Sequence, residues 1–298
     1  MIETVAPPSD PEQLRRELGS DTELTRFHDL EIHIFDGPDC PEVLNEIGRI
    51  REAEYRAEGA GRNLPRDLDR HDTGIPRYLQ IVSFDREHGE LVAMYRAMHC
   101  GRMLESHQLS AVSLRTAGLF DFSRAFVNGT LPHLVELGRS VVNRRAHRAV
   151  QGLFSVWSGL GALTRIWPDM TGYFGNVTVY PTMPSSAIRT LWTFLDTHYR
   201  AASGDVCARD RAVVKEMLDA ADHADPECTA TLEALTGCAS RDGWQIPAIL
   251  VSYLKACPRL EVFDIAFDED FGRAFEIAIH VPVNGLTEKT RRRFIERH

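Results

Sequence analysis

LPHLVELGRSVVNRRAHRAVQGLFSVWSGLGALTRIWPDMTGYFGNVTVY, residues 131–180, reads as strand, loop, long helix, strand. The first strand carries Glu136 and Arg139 within ELGRSVV. Apolar spacing predicts a helix from roughly Arg148 to Ile166, then a strand over the aromatic and β-branched run Gly172–Tyr180. A helix joining two apolar strands implies adjacent parallel strands and a right-handed crossover. Such a unit opens a pocket at the strand ends, beside a helix N-terminus that favours anions. The chemistry is expected there.

The rest of the chain bounds that expectation. Its 298 residues, 43% hydrophobic and 26% charged, hold material for one large domain or two small ones. A formal charge of −9 argues against general nucleic-acid binding. Six cysteines (Cys40, Cys100, Cys207, Cys228, Cys238 and Cys257) form no C-x-x-C pair and read as scattered reduced thiols of a cytoplasmic protein. Cys228, Cys238 and His223 are near in sequence but fit no common zinc spacing, so no metal is expected. The N-terminus lacks the basic and apolar regions of a secretory signal, and no apolar run reaches the ~20 residues that span a bilayer. Any membrane contact is therefore expected to be peripheral.

Residues 1–30 read as a loosely ordered tail with a short helix near Glu12–Leu18. EIHIF (31–35) alternates and is a first strand. A helix with Pro41 in its first turn presents Val43, Leu44, Ile47 and Ile50 on one face, with Arg51 and Tyr55 near its end. A polar loop holds Asp67, Asp69 and Asp72. A hairpin then turns at Asp85–Glu90 and carries Arg96 inside its second strand. Residues 100–130 look irregular. After the central unit come a helix (185–200), an acidic helical insertion (201–242), a helix over IPAILVSYLKAC, two strands and a basic amphipathic terminal helix. The expected architecture is α/β, a mixed sheet with helices on both faces.

Several catalysts are excluded: no G-x-S-x-G elbow, no Walker or G-x-G-x-x-G phosphate loop, and no H-E-x-x-H are present. Glu136 and Arg139, Asp69 and Asp72, and Arg51 and Arg96 remain. Carboxylates near arginines can deprotonate an amine and bind its charged neighbours. Glu136 stands out, because a bare carboxylate in an apolar strand is costly unless paired. In a regular strand residues 136 and 139 face opposite sides; a bulge at Leu137–Gly138 would bring them to one.

The ordered set IREAEYRAEG, RDLDRHD, YLQIVSFDREHGELVAMYRAM and ELGRSVV resembles the GNAT-like bacterial N-acyltransferases of the ornithine-lipid and glycine-lipid type. That family's motifs correspond here to Arg51 with Tyr55, Asp69 with Asp72, Gly89 to Arg96, and Glu136 with Arg139. Val156–Leu160, Tyr173–Val179 and IPAILVSYLKACPRLEVFDIAFDEDFG are similar to its later motifs, so the resemblance covers roughly Glu31 to Val283. The same motifs are shared with N-acylhomoserine-lactone synthases.

The resemblance implies one GNAT-like domain over 31–298, with a mixed, mostly antiparallel sheet. It implies transfer of a fatty acyl chain from acyl carrier protein, or acyl-CoA, to the amino group of an amino acid such as ornithine or glycine. The thioester is a co-substrate, and no separate cofactor is expected. Glu136 would be the base, with Arg139 as its catalytic companion. Arg51, Asp69, Asp72 and Arg96 would hold the acceptor. Arg144, Arg145 and Arg148 would meet the donor phosphate, with Trp157, Tyr173 and Asn176 along the donor. The stretch Arg144–Gly152 departs from the Q/R-x-x-G-x-G/A loop of CoA-dependent relatives, which suits a carrier presenting a single phosphate. Two alternatives stay open: a signal synthase of the acylhomoserine-lactone kind, and a non-catalytic acyl-binding protein.

Overall fold

A computed structural model describes residues 3–106, 110–221 and 224–296. The chain begins with α1 (Pro11–Glu17), β1 (Glu23–Phe27), β2 (Leu30–Asp36), α2 (Pro41–Ala57) and the single turn α3 (Arg70–Thr73). The hairpin β3 (Leu79–Asp85) and β4 (Glu90–His99) leads into α4 (Cys100–Ser106) and β5 (Phe120–Phe122). The central unit is β6 (Leu134–Val142), α5 (Gly152–Ile166) and β7 (Gly172–Val179). Next come α6 (Ser185–Tyr199), β8 (Val206–Ala208), α7 (Arg211–Asp219), α8 (Leu232–Asp242) and α9 (Ala248–Ala256). The chain closes with β9 (Glu261–Asp268), β10 (Ala274–Pro282) and α10 (Glu288–Phe294).

Eight strands form one sheet in the order β1-β2-β3-β4-β6-β7-β10-β9. Every neighbouring pair is antiparallel except β6 and β7, the expected parallel pair across α5. Strand alternation sends Tyr95, Ala97, Val135, Leu137, Tyr173 and Val177 into one apolar layer with Val156, Leu160 and Leu163 of α5 and Leu250 and Leu254 of α9. The opposite face puts Val82, Phe84, Met94 and Val141 against Val43, Ile47 and Ile50 of α2. No helix among the described residues is long and apolar enough to cross a membrane.

The feature that makes a site is a gap. β6 and β7 pair only from Leu134–Leu137 against Gly172–Gly175. Beyond that point β4 holds β6 as far as Val142, while β10 holds β7 as far as Val179. The two parallel strands are thus drawn apart by their outer neighbours. The register of β4 and β6 shifts here: the two steps from Met94 to Arg96 face the three from Gly138 to Val141. The irregularity falls after Gly138, not at Leu137–Gly138, and Arg139 itself takes a left-handed φ of 54°. A non-glycine residue in that region costs about 1–3 kcal/mol. Here ion pairs to Arg139 offset the cost, which sequence spacing does not reveal.

Three further departures have physical causes. Residues 23–27, expected within a loose tail, form the edge strand β1, and Leu14 and Leu18 beside it are buried on the α2 face. The half-exposed strand alternates too weakly to be read alone. The insertion holds the two expected short helices, α7 and α8, but also β8, which pairs with β5 in a separate two-stranded sheet. Cys228 and Cys238 are not free thiols: they form a disulfide, with Cα atoms 5.8 Å apart. The pairing closes a loop of sequence separation 10 that only tertiary folding brings together. His223 lies outside the described residues.

Candidate active site

The gap opens into a cleft of about 680 Å³, a size typical of ligand pockets. Its two sides differ because strand faces differ. Toward α5 and α9 it is apolar, bounded by Leu137, Tyr173, Val177, Ile249, Ile279 and Val281. Tyr253 belongs to this wall; its hydroxyl lies 2.9 Å from that of Tyr95, and its ring stacks on Trp157 with centroids 5.5 Å apart. Tyr173 donates to the Leu160 carbonyl at 2.7 Å. Toward α2 the cleft is polar, bordered by Arg96, Arg115, Glu136, Arg139, Thr178 and Glu276.

Glu136 is 1% exposed. One carboxylate oxygen accepts from the Thr116 N–H at 2.7 Å and the Thr116 hydroxyl at 2.5 Å, and the other from the Tyr78 hydroxyl. The Tyr78 oxygen in turn accepts from the Arg115 N–H at 3.0 Å. Glu136 therefore fastens the segment carrying Arg115 to the sheet, a connection across 20 residues that sequence alone does not show.

Beneath the polar side lies a lattice of buried charges. Arg51 of α2 donates to Asp72 at 2.9 Å and to Gln80 at 2.8 Å. Arg96 of β4 donates to Asp69 at 2.8 Å and to Asp72 at 3.2 Å. Arg139 pairs with Asp67 at 2.7 Å and packs its guanidinium over Phe271, 4.6 Å from the ring centroid. Asp69 and Asp72 also form a capping box on α3: Asp69 accepts from the His71 N–H, and Asp72 accepts from the Asp69 N–H at 2.9 Å. Burial alone would raise the Asp69 carboxyl, but the charge and hydrogen bond of Arg96 more than reverse this and hold it far below the usual range. Burial likewise would lower Arg96, and Asp72 and Asp69 lift it above its ordinary value.

Of the residues singled out from sequence, Glu136, Arg139, Arg96, Arg144, Tyr173 and Asn176 line the cleft. Arg51, Asp69 and Asp72 sit behind it, bound to one another's network. Trp157 stands behind Tyr253. Arg144 at the rim pairs with Glu54 at 2.5 Å and Glu58 at 2.7 Å, and Arg145 is exposed. Arg148 turns away, toward Asp29, Asp85 and Glu87. The first turn of α5 that follows has no side-chain cap. His88 and Glu90 at the β3–β4 turn and His147 of the β6–α5 loop, close enough to share an ion, lie outside the cleft lining.

Sequence reading passed over Glu276. It lies on β10 opposite Thr178 of β7, is 4% exposed and lines the cleft. The signal was available: a carboxylate inside the alternating run AFEIAIHVPV, the same mark that singled out Glu136.

Residues 50–158 match the family described as acetyltransferase (GNAT) domain. The chain is 30% identical to the glycine N(alpha)-acyltransferase of Bacteroides thetaiotaomicron, across 100% of this chain and 92% of the relative. It is 31% identical to the enzyme of the same description from Phocaeicola vulgatus, across 99% and 93%. The chain belongs to this N-acyltransferase family. The fold, mixed with a mostly antiparallel sheet, is the one expected of a GNAT-like acyltransferase. Membership makes the protein an enzyme and removes the non-catalytic alternative. Two solved structures are more distant. The AHL synthase LasI has 11% identity and a TM-score of 0.43 across 91% of this chain and 95% of that one. The CoA-dependent acyl-homoserine lactone synthase MesI has 15% and 0.39 across 88% and 94%.

Proposed function

We propose that this N-acyltransferase moves a fatty acyl group from the thioester of an acyl carrier protein to the amino group of glycine. The observation that carries the reading is the two-sided cleft. An apolar wall suits an acyl chain, a polar wall suits a small zwitterion, and the β6–β7 gap joins them. Beyond Leu137, the β6 edge that faces β7 has no strand partner among the described residues, so its backbone groups are available to a pantetheine arm and to the thioester oxygen. Arg96, Arg115 and Arg139 border the side where an acceptor carboxylate would lie. The names of the two relatives support glycine over ornithine as acceptor.

The donor assignment follows the loop that enters α5. Arg145 is exposed beside Arg144 at the rim, ahead of the uncapped first turn. An acidic carrier would be steered by the exposed end of this patch, Arg145, since Glu54 and Glu58 already hold Arg144, despite the overall charge of −9. Arg145→Glu is expected to raise the carrier-protein KM about 3–10-fold, leave the glycine KM nearly unchanged, and lose most of its effect at high salt. Equal changes in both KM values would speak against the patch. The reading itself is tested by giving the pure protein acyl-carrier and acyl-CoA thioesters with a panel of amino acids, read by mass spectrometry. N-acylglycine formed faster from the carrier thioester is the expected result. Acylation of a different amine, or preference for acyl-CoA, would replace the corresponding half of the assignment.

A further inference from the structure

We propose that Glu276 is the general base that takes the proton from the acceptor amine, and that Glu136 is a positioning residue. The proposal rests on the acyl-transfer reading above. A base must hold a lone pair open toward the reacting nitrogen. Glu136 has three of its four acceptor positions taken by donors of the protein, Tyr78 on one oxygen and the N–H and hydroxyl of Thr116 on the other, and is 1% exposed. Glu276 differs. Its Oε1 accepts from the Thr178 hydroxyl at 3.0 Å, and Oε2 has no hydrogen bond among the described residues. The carboxylate borders the polar side of the cleft and sits on the strand that holds β7 away from β6.

The groups around it set its basicity. Arg115 faces it from the segment before β5, Asp268 from β9, Arg139 from β6 and Tyr180 from the end of β7. Asp268 is itself occupied, bound to Arg115 and to the Asp270 N–H. Burial pushes the Glu276 carboxyl up to about 7; Arg115 opposes the rise, Asp268 adds to it, and Thr178 and Arg139 oppose it. A carboxylate in that range is matched to work near neutral pH.

In the step itself, the amine nitrogen attacks the thioester carbonyl carbon and the C–N bond forms. The surplus proton on nitrogen passes to Oε2 of Glu276. Collapse of the tetrahedral adduct breaks the C–S bond, and the departing sulfur receives that proton back through the cleft. Amide and thiol are the products, and the carboxylate is regenerated.

The test is the pH dependence of turnover from about pH 5.5 to 8.5, followed by thiol release and referred to the concentration of unprotonated amine. Wild type is expected to show a rising limb with an apparent pKa near 7, as Glu276 loses its proton. Glu276→Gln should lower kcat about 10²–10⁴-fold and abolish the limb. Glu136→Gln should lose less and keep it. A Glu276→Gln enzyme that keeps the rate and the limb, a limb lost in Glu136→Gln instead, or a wild type without the limb would each overturn the proposal. Should Glu276→Gln fail to fold, Glu276→Asp decides. It should keep the limb with kcat reduced about ten-fold or more, and full-rate turnover would refute the role. If wild type ignores glycine but acylates another amine, the substrate reading fails separately. The comparison of variants is then made on that amine.

Discussion

Asp72→Asn is expected to destabilise the protein by about 3–5 kcal/mol, the usual cost of removing one partner from a buried ion pair. Asp72 is 0% exposed, and its two oxygens accept four hydrogen bonds. Oδ1 takes Arg51 at 2.9 Å and the Gln80 amide at 3.1 Å; Oδ2 takes Arg96 at 3.2 Å and the Asp69 N–H at 2.9 Å. Every lone pair is thus in use. An asparagine keeps one acceptor oxygen, turns an NH₂ toward donors, and leaves two buried guanidinium groups short of a counter-charge. The change should appear as a lower urea midpoint, with Asp69→Asn, whose side chain is 14% exposed, losing less. A difference from wild type below about 1 kcal/mol would show that the arginines find other partners.

The pH dependence of that difference follows from its sign. The folded-state pKa of Asp72 is lowered: burial would raise it, and Arg51 and Arg96 more than reverse that. Its contribution is complete above the unfolded value of about 3.9 and is lost as pH falls through the depressed folded one. The gap between wild type and Asp72→Asn should therefore stay constant from about pH 7 to 5 and narrow below about pH 4. A gap that widened in acid would contradict the linkage.

The same lattice shows where sequence reading reaches and where it stops. The β6–α5–β7 unit was legible because its apolar periodicity switches from 2 to 3.6 and back, and that pattern needs no partner to be seen. The charged residues were legible as a set, but not in their function. Arg51, Asp72 and Arg96 are 21 to 24 residues apart or more, and whether such charges face a ligand or one another depends on the path of the loop between them. The fold turns them largely on one another, leaving Arg96 and Arg139 at the cleft. Glu276 escaped for the converse reason. Its strand was identified correctly, yet its importance comes from lying opposite Thr178, a pairing across 98 residues. The Cys228–Cys238 bond was unreadable because cysteine spacing informs only where a known pattern exists.

Gly175→Ala is expected to lower kcat/KM about 10²-fold while leaving most of the fold in place. Gly175 is the last residue of β7 that pairs with β6, opposite Leu137, and it marks the point where the strands part. Its φ of 153° is one that residues with a Cβ rarely adopt. A Cβ there would stand 2.4 Å from the Leu137 carbonyl oxygen. That oxygen belongs to a strand held on its far side by β4, so it cannot retreat; β7 must move instead. The displacement falls at the apex of the gap, where the proposed acyl transfer would bring thioester and amine together. Misplacement of reacting groups by about 1 Å costs on the order of 10²-fold in rate. Because the outer strands β10 and β9 still pair with one another, unfolding should remain cooperative, with a lowered midpoint. The measurement is kcat/KM for both substrates alongside the urea midpoint of the same preparation. An alanine enzyme with wild-type kcat/KM would mean that the gap apex tolerates repacking and that the reacting atoms meet elsewhere along the cleft.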